Sequence, residues 1–81
     1  MKTLNITYDI VEIENGEMIV GETCSTVKMQ DALAEQLLHD PGSCGVIDMV
    51  HLEFLLQHVE ILQGRRFVPD SIKHFELVKE D

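Results

Sequence analysis

The sequence predicts a small α+β domain of order ββααβ, in which an N-terminal β-hairpin and a C-terminal strand form a three-stranded sheet packed on two helices. Three observations predict it. Two alternating, β-branched segments meet at Asn15-Gly16. Two segments with helical apolar spacing follow, parted by Asp40-Pro41-Gly42. A short alternating segment, IKHFELV at 72–78, comes last.

The hairpin is the sharpest of these signals. Residues 3–13 and 17–27 are rich in Ile, Val and Thr, and Asn-Gly accepts the positive φ angles of a two-residue type I′ turn. Such a turn pairs Glu14 with Glu17, Ile13 with Met18, Val11 with Val20 and Tyr8 with Thr23. Because side chains alternate across a strand, one face takes Leu4, Ile6, Tyr8, Ile10, Ile19 and Val27. The other takes Val11, Ile13, Met18 and Val20 near the turn, with Asp9 and Glu22 further away. The turn end is therefore apolar on both faces. Either a bulge near Ile10, Val11 and Gly21 switches the faces, or the second face is covered by something else. The like-charge opposition of Asp9 and Glu22 favours the bulge.

Residues 28–39 suit a short helix, with Met29, Leu33 and Leu37 at i, i+4 spacing. Pro41 and Gly42 end it. A second helix spans about 46–62 and is closed by Gly64, with Arg65 and Arg66 just past its negative end. Met49, Leu52, Leu56, Val59, Ile61 and Leu62 fill one stripe of it, and Val50, Phe54 and Leu55 carry apolar character around the cylinder. Asp48, His51, Glu53, Gln57, His58 and Glu60 are left for solvent. A surface helix needs one apolar stripe. This one has more, which predicts that it is sandwiched between the sheet and another helix, its own or a symmetry mate's. In the last strand Phe75 and Leu77 share a face, with Lys73 and Lys79 in phase.

The chain has 81 residues, which bounds it to a single domain over 1–81, and its 44% apolar content suffices for a compact core. The net charge is −9. Residues 1–60 carry all of that excess, with eleven acids against Lys2 and Lys28, whereas 61–81 balance four acids with four bases. An acidic body repels nucleic acid and anionic membranes, so direct nucleic-acid binding and membrane association are not expected. No apolar run reaches the roughly 18–20 residues of a membrane span, and Asp9 interrupts the start early enough to argue against a signal peptide. Cys24 and Cys44 are expected as reduced thiols in a cytoplasmic protein.

Chemistry-bearing motifs are sparse. His51 and His58 stand seven apart, roughly 10 Å along a helix, too far to share one metal ion, whose ligands on one helix lie three or four apart. Asp48 and His51 have that spacing, but with Cys44 or His39 they form no recognisable metal motif. Cys44 lies in a glycine-flanked loop before a helix, a place where a thiol pKa can fall. No orienting third group or oxyanion motif accompanies it. There is no phosphate-binding glycine motif, and with four aromatic residues no base-stacking platform is expected. No cofactor is implied.

These observations point to a small acidic, non-enzymatic protein-interaction domain that self-associates as a homodimer or binds a larger protein. The candidate interface residues are Val11, Ile13, Met18 and Val20 on the hairpin and Val50, Phe54 and Leu55 on the second helix. A sharper form is a regulator or inhibitor of a nucleic-acid-binding protein, with Asp9, Glu12, Glu14, Glu17 and Glu22 standing in for phosphates. The alternatives are a small metal- or thiol-dependent protein using Cys44 with His51 or His39, and a structural subunit of a larger assembly.

Overall fold

The computed structural model of the chain describes residues 1–80. Strand β1 (Lys2–Glu14) turns into β2 (Glu17–Met29). Helix α1 (Asp31–His39), a single 3-10 turn at Pro41–Ser43 and helix α2 (Val46–Leu62) follow. Strands β3 (Arg66–Phe67) and β4 (His74–Glu80) complete the fold. The result is an antiparallel four-stranded sheet with two helices, an α+β domain.

β1 is the central strand. β2 lies along one side of it, and β3 and β4 share the other, so the sheet is three strands wide although it contains four. β3 had no clear mark in the sequence. It pairs at Ile10 and Val11 only, and the chain then leaves the sheet through residues 68–73 before β4 resumes at Thr7. Lys73 N–H to the Thr7 carbonyl (2.8 Å) and Val68 N–H to the Asp9 carbonyl (3.1 Å) bracket that excursion.

The hairpin turn is as expected, with Asn15 at φ 53° and Gly16 at φ 81°. The bulge is not. The β1–β2 ladder runs unbroken through thirteen pairs, and Asp9 stands directly opposite Glu22. The repulsion is relieved from β4's approach instead: the Lys73 ammonium bonds both Asp9 and Glu22. The one irregularity in the sheet lies on the other side, between Thr3 and Leu4 where β1 meets β4. It reverses the phase of the final residues, so Lys79 pairs with Thr3 while Phe75 and Leu77 pair with Ile6 and Leu4.

Strict alternation builds the core. Leu4, Ile6, Tyr8 and Ile10 all point to the helix side and are buried, joined by Met29, Ala34, Leu37, Leu52, Leu56 and Phe67. Each fully buried large side chain contributes about 1.5–3 kcal/mol. Helix α1 begins at Asp31, later than expected, because Lys28 and Met29 continue β2; Met29 reaches the core from the strand end. Opposite the helices, the sheet face bearing Thr26, Cys24 and His74 is exposed. The molecule is 43 Å long, about the length of a thirteen-residue strand at ~3.3 Å per residue. The hairpin therefore sets the long dimension, and its tip projects past Val11, where β3 ends its pairing.

Candidate interaction surfaces

α2 has two sides. Leu52, Leu56 and Glu60, at i, i+4 and i+8, face the sheet and are buried. The opposite side carries Ile47, Val50, Phe54, Gln57 and Ile61, spaced 3-4-3-4 as in a helix-pairing seam. Ile47 is 71% exposed and Phe54 64%. The chain's own other helix does not supply the cover: α1 packs on β1 and β4. Ile61 and Leu62 do not join the core stripe either; both are exposed, and Glu60 takes the buried position. No acidic or basic residue interrupts the seam, and exposed His51 and His58 flank it. With Val46, Leu55 and Leu62, seven large apolar side chains of α2 are exposed, and a concentration of apolar surface on one element marks an interaction site.

Grooves run beside the helix on both flanks. On the β3 side one is lined by Val50, Glu53, Phe54, Gln57, Phe67 and Pro69. On the β2 side another is lined by Val27, Met29, Leu33, Leu52 and Leu55, with Lys28, Asp48 and His51 at its polar margin. Of the helix residues singled out from sequence, Val50 and Phe54 thus lie on the outer seam and Leu55 on the β2 flank. The hairpin residues Val11, Ile13, Met18 and Val20 come together on the open sheet face, as directly opposed pairs near the turn. Ile13, Met18 and Val20 are exposed and Val11 half-buried. The helix and hairpin sets are therefore two patches on different sides of the sheet.

The acidic set is also divided. Asp9 and Glu22 share the open face and are joined by Lys73. Glu12, Glu14 and Glu17 fall on the helix side of the hairpin, and Glu12 lies 3.7 Å from Arg65. The five carboxylates do not form one anionic surface.

The most polar feature of the interior went unrecognised in the sequence. Glu60 is fully buried. Its Oε2 accepts from the Tyr8 hydroxyl at 2.7 Å, and its Oε1 accepts from Arg65 Nε at 2.8 Å and lies 2.6 Å from Arg65 Nη2. Tyr8 also bonds Ser25 Oγ at 2.6 Å. Gly64, at φ 76°, turns the chain back after α2 so that the Arg65 amide reaches the Glu60 carbonyl at 2.9 Å. Burial, and next the bond to Glu60, push the Tyr8 hydroxyl up to about 12, so it remains a donor. Among the described residues no buried side-chain polar atom lacks a partner. Neither groove beside α2 is lined by Tyr8 or Glu60. The cluster ties α2 to the sheet; its carboxylate is fully engaged.

Cys44 is half-buried, and burial followed by the nearby Asp48 charge pushes its thiol up. That is opposite to the shift an activated nucleophile needs. Among the described residues, no three His, Cys, Asp or Glu side chains are grouped to hold a metal ion. His39, His51, His58 and His74 are all exposed. No helix among the described residues is long and apolar enough to cross a membrane. Comparison with family models, with curated proteins and with solved structures finds no match for this chain.

Proposed function

We propose that the chain is a non-enzymatic protein-interaction domain of the cytoplasm, which binds a larger protein through the outer face of α2 and self-associates as a homodimer. The observation that carries this reading is the uncharged seam Ile47–Val50–Phe54–Gln57–Ile61 on a chain of net charge −9. Charge is spread over most of the hairpin, yet this face has none, and a surface depleted of charge around a central aromatic is what an interface core offers. Two free thiols, Cys24 and Cys44, suit a reducing compartment. The upward shift of the Cys44 thiol and the full engagement of Glu60 support the non-enzymatic part of the reading.

The regulator form, in which carboxylates mimic phosphates, draws less support. Lys73 bridges Asp9 and Glu22 and cancels half of their charge, and the remaining three acids face the other way. Membership of a larger assembly is a special case of the same surface use.

The test is site-specific photo-crosslinking in the native host, with the photoreactive residue at Phe54 and, as control, at Asn5 on the open sheet face. The reading expects an adduct from position 54 that Val50→Asp abolishes without changing the melting temperature. Equal adducts from both positions, or none from position 54, would count against it.

A further inference from the structure

The free edge of the sheet carries an inference independent of the outer face of α2. With β3 and β4 on one side of β1, β2 forms the other edge alone. In an antiparallel ladder alternate residues turn their amide and carbonyl groups towards the partner strand. A two-residue turn makes Glu14 and Glu17 the first hydrogen-bonded pair. The odd residues of β2 therefore bond β1, and Met18, Val20, Glu22, Cys24, Thr26 and Lys28 turn their main-chain groups outward. The same parity holds on the far side of β1, where the odd residues Thr7 and Asp9 accept from Lys73 and Val68. All six outward residues of β2 are exposed.

This edge is long and lightly defended. It runs for thirteen residues, against about 5–6 in an ordinary strand. Proteins blunt such edges with proline, a bulge, a covering segment or charge. β2 has no proline, its ladder has no bulge, and only Glu22 and Lys28 among the outward residues carry charge.

We propose that two copies of the chain pair β2 to β2, antiparallel, about a twofold axis at Thr23, so that one sheet runs through both with the helices on one side. This register aligns the whole strand. It sets Met18 against Lys28 of the second copy, Val20 against Thr26, Glu22 against Cys24 and Thr23 against itself, with no like charges directly opposed. Sliding one step towards the turn sets Glu22 against Glu22, and sliding the other way leaves Met18 beyond the partner strand. On the helix side the same register sets Ile19 against Val27 of the second copy. Ile19 is 42% exposed on the projecting tip. Val27 lines the apolar groove with Met29, Leu33, Leu52 and Leu55. Each copy thus supplies a knob and a hole at the two ends of the shared ladder, and the outer face of α2 stays open. Because each copy carries −9, salt screens the repulsion and strengthens the pair.

The experiment is light scattering behind size exclusion at low and high salt, on the full chain and two variants. The wild type is expected at twice the 9.2 kDa chain mass, with the dimer fraction rising with salt. Cys24→Pro removes an outward amide that the single copy does not use, and Ile19→Asp charges the knob; both are expected to run at single-chain mass. Register is read by oxidation: Thr23→Cys, with Cys24 and Cys44 changed to Ser, should form a disulfide-linked dimer. Two residues at a non-hydrogen-bonded pair lie about 4.5 Å apart at Cα, within reach of a disulfide. Thr26→Cys in the same background should not. A monomer at both salts, a dimer that survives Ile19→Asp, or cross-linking at 26 and not at 23 would overturn the proposal.

Discussion

Replacing Arg65 by Met removes the cation that Glu60 faces inside the protein. In the folded chain the carboxylate is wholly buried and held by Arg65 through Nε and Nη2. At an effective dielectric of about 20 and a charge separation near 4 Å, the Coulomb attraction is about 4 kcal/mol. Removing one member of a buried pair costs about 3–5 kcal/mol, because the other charge stays desolvated. Methionine keeps most of the arginine stem's packing, so the loss is electrostatic. For a domain of this size about 3 kcal/mol lowers the melting midpoint by roughly 12–24 °C, a large part of the total stability of a small domain. The assay is urea unfolding at neutral pH followed by circular dichroism, with the triple variant Tyr8→Phe, Glu60→Leu, Arg65→Met alongside. The triple variant should regain stability to within about 1 kcal/mol of wild type, since an apolar replacement of a buried pair is often neutral. A loss below about 1 kcal/mol for Arg65→Met, or a triple variant as unstable as the single, would refute the reasoning.

Three further outcomes follow from the same structure. The protein has one tyrosine, and its folded-state pKa of about 12 lies above the ordinary 10.0; folding therefore favours the protonated hydroxyl, the contribution is whole below pH 10 and is lost as the pH rises towards 12, and alkaline titration of tyrosinate absorbance should show the native chain ionising late, whereas ionisation near pH 10 in the native state contradicts the burial. Leu56→Ala should cost about 2–5 kcal/mol by urea unfolding, whereas Phe54→Ser on the outer face should change stability little; comparable losses would mean that α2 has no free side. Lys73→Met leaves Asp9 opposite Glu22 without its bridging cation, so its melting midpoint should fall at low salt and recover at high salt, and a salt-independent fall would point to lost packing instead.

Local signals carried most of the architecture. Asn15-Gly16 with its flanking alternation determined the hairpin pairing down to individual residues, because a two-residue turn admits one register. The limits of α2 followed from apolar spacing closed by a glycine that takes φ 76°. What sequence reading missed depends on partners far along the chain. The bulge expected near Gly21 rests on the Asp9–Glu22 repulsion, and Lys73, about fifty residues beyond Glu22, bridges the two and offsets that repulsion. β3 is two residues long, too short to show a period. Residue type alone sends Glu60 to solvent, although Leu52, Leu56 and Glu60 share the four-residue spacing of the buried face; Arg65 five residues on, after Gly64, is the hint the sequence holds. The exposed seam on α2 was legible as surplus apolar character, but which side faced the sheet required the fold.

The central place of β1 also sets the order in which the molecule can be assembled. β1 pairs locally with β2 across a two-residue turn, but its other side waits for residues 66–80. Closing the sheet joins Lys2 to Glu80 and Thr7 to His74, among the most distant pairings the chain contains. Distant pairings slow folding, since loop entropy is lost before the contacts form. During synthesis the hairpin emerges first, with both of its long sides unsatisfied and Leu4, Ile6 and Ile10 bare. A ribosome-stalled chain ending near residue 65 would hold a sticky ribbon rather than a domain, and neighbouring nascent chains would be drawn to it. Pairing of residues 66–80 with β1 is thus what seals the ribbon's inner side and leaves the β2 side alone open.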